Sequence, residues 1–415
     1  MPDAPQTLKG FRDFLPAEKR KRDFVSHQMK QVFERHGFAP LETPTLEYAS
    51  LLLGKYGTEA DKLVYTFADR GDRQVGLRYD QTVPTARVLS QYQNELPRLW
   101  RRYQIQNSFR ADKPQKGRYR EFTQCDCDVF GSLSPVADAE ILAVYYAVFA
   151  EIGLKSIKIE INDRQTLIST LSPFTTDVVN VMSIIQSIDK LDKVTPDKVA
   201  EELVEKGLDA KAAVAAVNSI HSAQISENLQ QILAAAQALG VPAESLVVNP
   251  AIARGLDYYT GMIFEGKVPE YTVGSVGGGG RYDNLIESLS GYKMPAVGFG
   301  IGFDRTVEAA DQLGLIPIDA SGTQVLVTIF DQSLLQNSLE IARKLRQAGI
   351  HVEVYPGLDK LPKQLKLADQ KQIPFVIIIG EQEAAQHQVM VKELKNGEQH
   401  AVSLDEAIQL IQTAS

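Results

Sequence analysis

The stretch RADKPQKGRYRE at residues 110–121 carries five basic side chains against two acidic ones, arranged around a proline and a glycine. It predicts a strand, a cationic turn and a return strand, since proline and glycine mark turns. Arg110 precedes the turn, and Arg118 and Arg120 follow it with the period of two that places side chains on one face of a strand. Three guanidinium groups could then grip one polyphosphate, because each planar fork matches two phosphate oxygens. A solvated basic hairpin is the alternative.

The return strand continues as FTQCDCDVFG. Alternation places Gln124, Asp126 and Asp128 on one face, and Cys125 and Cys127 on the other. A buried wall with so many acceptors is costly unless it receives a cationic or donor-rich ligand, so the strand predicts a polar pocket beside the arginines. Salt bridges from the two carboxylates to the same arginines are the alternative.

The longer segment YQIQNSFRADKPQKGRYREFTQCDCDVFG resembles the second signature motif of class II aminoacyl-tRNA synthetases, in the form found in histidyl-tRNA synthetases. Further segments are similar to other motifs of that family, in the family's order. They are KGFRDFLP, LETPTLEY with Pro44 for the first class II motif, LRYDQTVPTAR, the histidine-specific IARGLDYYTG, GGGGRYDNLI, and AVGFGIGFDR for the third class II motif. The resemblance covers essentially the whole chain, and the ordered set is more specific than any single motif.

The resemblance implies an α+β catalytic domain with a mainly antiparallel mixed sheet, the class II synthetase fold, formed by residues 1–162 and 243–317. Between them, residues 163–242 switch to helical patterns with almost no glycine and are expected to form a helical insertion domain. Strands then alternate with helices, which predicts a separate α/β domain at 322–415, in the position of the family's anticodon-binding domain.

Individual elements can also be predicted from periodicity. Helices are expected at about residues 17–35 and 135–152, and strands around Thr43 and Val75. The GGGG run at 277–280 is by itself more typical of a turn.

The family's activity is that of a ligase, which activates L-histidine with ATP to histidyl-adenylate and transfers the histidyl group to the 3′ end of tRNA(His). The resemblance makes Arg110 and Arg254 the catalytic guanidinium groups at the α-phosphate. Arg118, Arg120 and Arg305 would hold the β- and γ-phosphates, with Mg²⁺ bridging them. Positioned cations are the main catalytic resource for such a reaction, because the transition-state charge is spread over phosphoryl oxygens.

Asp112 matches the family residue that meets the adenine amino group, although glutamate is more frequent there. The resemblance also assigns seven residues to histidine: Asp80, Thr82 and Gln124 to the α-amino group, and Asp128 and Tyr259, with Tyr258 and Tyr282 nearby, to the imidazole site. Such polar contacts reject other amino acids strongly, since buried polar groups left unpaired are costly. Read without the family, the adjacent tyrosines of IARGLDYYTG are more typical of core aromatics.

Contacts with tRNA are expected at Gln115, in the motif 2 turn, and at Lys363 and Lys366. These two lysines belong to a series at helical spacing opposed in sequence only by Asp369. The series predicts a basic stripe near the C-terminus, for which a solvated amphipathic helix is the alternative. A homodimer is implied by the resemblance of LETPTLEY to the family's interface motif.

Composition agrees with this reading. The chain has 415 residues, which suggests two or three domains, with 44% hydrophobic and 23% charged residues and a net charge of −8. With no signal-like segment and no apolar run of membrane length, we expect a cytoplasmic location without a membrane partner. The two cysteines are expected to be free buried thiols, and no cluster of Cys or His predicts a structural metal site.

Two other functions share the fold. One is the non-catalytic regulatory subunit of an ATP phosphoribosyltransferase in histidine biosynthesis, which normally lacks the anticodon domain and the catalytic motifs. The other is a synthetase-like module of a stress-sensing kinase. The presence of Arg110, Arg254 and the C-terminal domain argues against the first, and the absence of kinase motifs argues against the second.

Overall fold

The computed structural model describes residues 5–54, 61–114, 117–191, 194–253, 259–317 and 322–414. The chain divides into two compact units, Met1–Ile316 and Pro317–Ser415. The helical stretch belongs to the first unit, so its limits as a separate insertion domain stay a prediction.

Within the described residues, the first unit has eleven strands: β1 (Ala39–Pro40), β2 (Leu46–Tyr48), β3 (Thr66–Ala68), β4 (Gln74–Leu77), β5 (Trp100–Phe109), β6 (Glu121–Phe130), β7 (Lys158–Asp163), β8 (Leu246–Val248), β9 (Met262–Lys267), β10 (Gly277–Arg281) and β11 (Ala296–Gly302). Eight of them form a sheet in the order β1-β5-β6-β11-β10-β9-β7-β8. Only the outermost pairs, β1 with β5 and β7 with β8, are parallel. The prediction of a mainly antiparallel mixed sheet is therefore confirmed.

The helices of this unit, again within the described residues, are α1 (Pro16–Arg35), α2 (Ala49–Leu52), α3 (Thr82–Gln91), α4 (Pro135–Ile152), α5 (Arg164–Leu171), α6 (Val181–Ile188), α7 (Pro196–Glu205), α8 (Ala210–Ser219), α9 (Glu227–Ala238), α10 (Leu285–Ser290) and α11 (Phe303–Gln312). Helices α5 to α9 confirm the helical pattern predicted after β7. The predicted helix at 135–152 is α4, which begins at a proline behind the capping side chain of Ser134 and ends at Gly153, whose φ is 101°.

Helices α1 and α4 cover one face of the large sheet. The buried side chains of α1 are Val25, Met29, Val32 and Phe33, which form the apolar stripe of an amphipathic helix. Tyr145 of α4 packs edge-on against two phenylalanine rings of the sheet, each at a centroid distance of 5.1 Å. Because this face is filled with apolar side chains, polar side chains of the same strands must lie on the other face.

One local prediction is wrong, and one alternative interpretation is excluded. Thr43 is not in a strand but lies between β1 and β2, because its backbone groups bond to side chains: its N–H donates to Gln106 Oε1 at 3.1 Å, and its carbonyl accepts from Arg78. The glycine run forms strand β10 and is not a turn. Strand β10 lies between β9 and β11. The backbones of β10 and β11 approach so closely that a Cβ at Gly279 would lie 2.1 Å from a carbonyl oxygen of β11.

A second sheet of three strands, in the order β2-β4-β3, completes the strands of the first unit. It carries several exposed apolar side chains: Leu46, Tyr48 and Phe67.

The second unit is a five-stranded sheet in the order β13-β12-β14-β15-β16 with helices between the strands. Its elements are β12 (Val325–Val327), α12 (Leu335–Gln347), β13 (Val352–Val354), α13 (Leu361–Gln370), β14 (Phe375–Ile378), α14 (Glu381–Ala385), β15 (Gln388–Glu393), β16 (Gln399–Ser403) and α15 (Leu404–Ala414). The first three strands in this order pair in parallel and the last two add antiparallel. The predicted alternation is confirmed, and β16 and α14 are additions to it.

None of the helices in the described ranges combines the length and the apolar character that crossing a membrane requires.

Candidate active site

The open face of the large sheet carries a polar floor, formed where β5, β6 and β11 run side by side. Three cross-strand rows repeat one pattern, a polar residue on β5, an acceptor on β6 and a glycine on β11. In register, the rows are Arg102, Asp128 and Gly298; Gln104, Asp126 and Gly300; and Gln106, Gln124 and Gly302. The predicted alternation of β6 is correct, since Cys125 and Cys127 are buried free thiols in the apolar core on the opposite face.

The glycines of β11 leave the space that the side chains of β6 fill. A Cβ at Gly298 would lie 2.0 Å from Asp128 Oδ1, and a Cβ at Gly300 would lie 3.1 Å from Asp126 Oδ1. The carboxylates of β6 therefore lean across the backbone of β11, an arrangement that only glycine permits.

A cavity of about 450 Å³ lies at one end of this floor and is lined by Arg110, Arg118 and Arg305. Arg110 donates to the carbonyl of Tyr79 at 3.3 Å, and its guanidinium lies over the Tyr79 ring. Arg305 donates to Ser275 O at 2.9 Å. These anchors leave further donors of both guanidinium groups for a ligand, because each carries five N–H bonds.

Asp112 lies in the same cavity, at 3.8 Å from the guanidinium Nε of Arg118, whose side chain is 59% exposed. Arg120 lies elsewhere. Its guanidinium donates to the backbone oxygens of Asp112 and Lys9. Because β6 begins only at Glu121, the strand periodicity expected for the two arginines after the turn does not extend to them.

At the other end of the floor, Asp128 is held between an ion-pair partner and a hydrogen-bond donor. Its Oδ2 lies 2.6 Å from Arg102 Nη2, and its Oδ1 accepts a short hydrogen bond from the Tyr282 hydroxyl. Burial raises the pKa of Asp128, while Arg102 and the hydroxyl act in the opposite direction. Tyr259 is buried against Gly280, where a Cβ would come within 2.9 Å of its ring. Asp128, Tyr259 and Tyr282 thus meet at one end of the floor.

Between the two ends, the segment before α3 lies against the floor. Asp80 Oδ1 accepts from the backbone N–H groups of Thr82 and Val83, at 3.1 and 3.2 Å, and so satisfies the first two backbone donors of α3. The Gln81 side-chain amide donates to the carbonyls of Gln106 and Gln124, which fixes the segment to β5 and β6.

Two acceptors of the floor have neither a hydrogen bond nor an ion pair. Within the described residues, the buried atoms Gln124 Oε1, Asp126 Oδ1 and Asp128 Oδ2 receive no hydrogen bond, and of these only Asp128 Oδ2 has an ion-pair partner, Arg102. Burial raises the pKa of Asp126 to about 7, with Arg102 acting against it. Buried acceptors are rarely left unpaired in a folded protein without a reason, so these two atoms indicate where a ligand binds.

Sequence reasoning missed several residues around the site. Arg102 is the salt-bridge partner of Asp128, which the alternative above assigned to the arginines of the turn. The sequence contained a signal for this polar face of β5, since Arg102, Gln104 and Gln106 alternate in WRRYQIQ with a period of two.

Asp304 is the second missed residue. It accepts from Arg12 at 3.0 Å, from Arg22, and from the backbone N–H of Thr123 at 3.2 Å. These contacts join the N-terminal segment, α1 and β6 to the start of α11, directly before Arg305. Nothing local in the sequence indicates this convergence.

Three predicted site residues, Arg254, Tyr258 and Gln115, lie outside the described residues. The lysines Lys363 and Lys366 are both exposed on α13. The stripe is less basic than its sequence indicated, because Lys363 pairs with Asp359 at 2.9 Å and Lys371 pairs with Glu353 at 2.7 Å. Within the described ranges, no group of three or more His, Cys, Asp or Glu residues is arranged to hold a metal ion.

An antiparallel sheet with a cationic cavity at one end of a polar floor, followed by a separate α/β unit, is the architecture of a class II aminoacyl-tRNA synthetase. The family model for histidyl-tRNA synthetase matches residues 10–305, and the model for the anticodon-binding domain matches residues 324–414. The chain belongs to the histidyl-tRNA synthetase family.

Individual relatives agree with this assignment. The histidine–tRNA ligase of Wolinella succinogenes is 38% identical, with 98% of each chain covered. The solved histidyl-tRNA synthetase of Nostoc sp. PCC 7120 is similar with a TM-score of 0.88 and 30% identity, over 99% of each chain. A solved ATP phosphoribosyltransferase regulatory subunit/histidyl-tRNA synthetase from Bacillus halodurans has a TM-score of 0.74 at 21% identity, over 89% of this chain and 97% of its own. That last likeness concerns the fold alone.

Proposed function

We propose that the protein is a histidine–tRNA ligase, which activates L-histidine with ATP, releases pyrophosphate, and transfers the histidyl group from the adenylate to the 3′ end of tRNA(His). One observation carries the proposal: a floor of buried acceptors runs directly into a cavity lined by three arginines. The acceptors suit an amino acid with an ammonium group and ring N–H donors, and the arginines suit a polyphosphate. The floor and cavity together would bring the two substrates into contact.

Activation requires the histidine carboxylate to attack the α-phosphorus of ATP while the bond to the pyrophosphate oxygen breaks. Arg110, together with Arg254, would stabilise the charge on the α-phosphate oxygens in that transition state. Arg118 and Arg305 would bind the β- and γ-phosphates. Arg120 shares this assignment, and its present contacts with backbone oxygens mean that it would have to turn toward the nucleotide.

Mg²⁺ is proposed to enter with ATP and to neutralise charge on its β- and γ-phosphates. The described residues fit a metal held mainly by the substrate, because magnesium keeps several waters and needs only one or two carboxylates. Glu265 on β9 and Asp112 are carboxylates that line the cavity beside Arg110 and Arg305.

For histidine, Asp80, Thr82 and Gln124 would bind the α-amino group, and Asp128 with Tyr259 and Tyr282 would bind the imidazole. Tyr258 is also proposed to contribute to the imidazole site. Support comes from the buried position of Asp128 between Arg102 and Tyr282, which fixes its carboxylate in one orientation. Asp112 is proposed to meet the adenine amino group.

For tRNA, Gln115 is proposed to contact the acceptor end, and Lys363 and Lys366 the anticodon region. A homodimer is proposed through the segment containing Pro44. The exposed apolar side chains of β2 and β3, Leu46, Tyr48 and Phe67, support an interface at this sheet. The cytoplasmic location stays a prediction.

The regulatory-subunit function has less support, since the cavity arginines and the second unit are both present. Histidine-dependent exchange of labelled pyrophosphate into ATP, without tRNA, decides between them. We expect exchange from the parent protein and a fall of about 100-fold or more in Arg110→Ala, the size typical of losing one donor to the transition state. The control Arg343→Ala removes an exposed guanidinium in the other unit. No exchange from folded parent protein would favour the regulatory function.

A further inference from the structure

Asp126 has no role in the activity described so far. It lies at the centre of the polar floor, is only 7% exposed, and has one carboxylate oxygen, Oδ1, without a hydrogen-bond partner among the described residues. A buried carboxylate oxygen without a hydrogen bond costs more free energy than an unpaired neutral acceptor does. Such a cost is expected at a ligand site, where the missing partner is supplied by the ligand.

The position of this oxygen is set by Gly300. Asp126 and Gly300 are cross-strand neighbours on β6 and β11, and a Cβ on the glycine would lie 3.1 Å from Oδ1. Gly300 lines the cavity that also contains Arg110 and Arg305. The unpartnered oxygen therefore lies beside the opening that glycine leaves between the floor and the cavity.

The surrounding charges favour a cation at this point. The charged groups that act on the Asp126 carboxyl are Arg102 on β5, Arg110 directly after β5, Asp128 on β6 and Asp80 before α3. Glu265 of β9 lies in the same cross-strand row as Asp126, and the Tyr282 hydroxyl donates to Asp128. Arg102 is already paired with Asp128, and Arg110 is directed to the phosphate end. The Asp80 carboxylate is close enough to Asp126 for its charge to raise the pKa of Asp126.

We infer that Asp126 is a further substrate-binding residue, which binds the α-ammonium group of histidine together with Asp80. The inference rests on the proposed function. Asp126 follows Gln124 by two positions on the same face of β6, about 7 Å along the strand, so both side chains can reach one ammonium group. An ammonium group has three donors, and it can satisfy Asp126 Oδ1, Asp80 and Gln124 Oε1 at once.

Two variants test the inference in the exchange assay. Asp126→Asn removes the charge, and we expect the KM for histidine to rise 10-fold or more with little change in the KM for ATP, because hydrogen bonds to charged groups contribute about 1.5–3 kcal/mol. Gly300→Ala keeps the charge but crowds Oδ1, and it should also raise the KM for histidine. The control Asp405→Asn changes an exposed carboxylate of the second unit. Circular dichroism and melting curves establish that each variant is folded.

Competitive inhibitors separate the ammonium group from the ring. Histidinol keeps the ammonium group, and 4-imidazoleethanol lacks it. Asp126→Asn should weaken inhibition by histidinol at least 10-fold and leave inhibition by 4-imidazoleethanol unchanged. Equal weakening of both inhibitors would overturn the inference, since Asp126 would then act on the ring or on the shape of the pocket.

The dependence on pH gives a readout that a structural role would not move. Because burial raises the pKa of Asp126 to about 7, the charged fraction of its carboxyl group grows between pH 6 and pH 8. The ratio of the KM for histidine in Asp126→Asn to that in the parent should therefore grow between pH 6 and pH 8. Titration of histidine itself cancels in this ratio. An unchanged KM for histidine in an active Asp126→Asn variant would overturn the role of Asp126 alone, whereas absent exchange in the parent would overturn the proposed function.

Discussion

Arg102 and Asp128 form a buried ion pair inside the sheet, with 2.6 Å between Arg102 Nη2 and Asp128 Oδ2. The two residues are cross-strand neighbours on β5 and β6, and both side chains are almost fully buried. The guanidinium group thereby holds at one orientation the carboxylate that we assign to the imidazole of histidine. The glycine opposite Asp128, Gly298, leaves room for this pair.

Breaking the pair from the arginine side should destabilise the protein strongly. Arg102→Met leaves the buried Asp128 without its cation, and we expect a loss of about 3–5 kcal/mol in the free energy of unfolding, measured by urea denaturation. The neighbouring Arg101 is a matched control, because its pair with Glu140 at 2.8 Å is partly exposed. Arg101→Met should cost less than about 1 kcal/mol. Equal losses in the two variants would contradict the importance of the buried pair.

The stability of Asp126→Asn relative to the parent should depend on pH. The folded state raises the pKa of this carboxyl to about 7, from 3.8 in a model compound. The unfolded chain therefore releases this proton first, and the parent loses stability as pH rises from about 4 to 7. The asparagine variant lacks this loss, so its melting temperature should exceed that of the parent by more at pH 8 than at pH 4.5. A difference independent of pH would show that the carboxyl has an ordinary pKa in the folded protein.

The floor should not tolerate a methyl group at Gly298. The added Cβ would lie 2.0 Å from Asp128 Oδ1 and 2.7 Å from the carbonyl oxygen of Cys127, and a backbone atom of the sheet cannot move aside cheaply. Gly298→Ala is expected to lower the melting temperature by several degrees and to reduce histidine-dependent exchange at least 10-fold. Gly357→Ala is the control, since its Cβ meets only one ring atom, at 3.9 Å. Full activity in the first variant would contradict this geometry.

A tRNA contact at Lys366 can be separated from adenylate formation. The variant Lys366→Ala should weaken tRNA binding and reduce by about one the slope of log affinity against log salt, as expected for one lost phosphate contact. Pyrophosphate exchange without tRNA should stay unchanged, because the residue lies on α13 of the second unit. Lys371→Ala is the comparison, since Lys371 is already paired with Glu353. Equal tRNA affinity in parent and Lys366→Ala would remove this residue from the proposed interface.

The sequence predicted the parts of this protein that depend on local order. The alternation of β6 correctly separated Gln124, Asp126 and Asp128 from the buried cysteines, because successive side chains of a strand point to opposite faces. The limits of α4 could also be predicted from the sequence, since a capping serine, a proline and a left-handed glycine mark its ends. The ordered motifs indicated the family, and the family model matched them.

Contacts between distant parts of the chain were decided only by the tertiary structure. The partner of Asp128 proved to be Arg102, and Asp304 joined Arg12 and Arg22, which lie more than 280 positions away in sequence. Lys371 of the basic stripe found its acidic partner, Glu353, 18 positions away. Sequence spacing fixes which face of an element a side chain occupies, but pairing and burial depend on which elements pack together. That packing sets the partner, the desolvation and therefore the chemistry of each charged group.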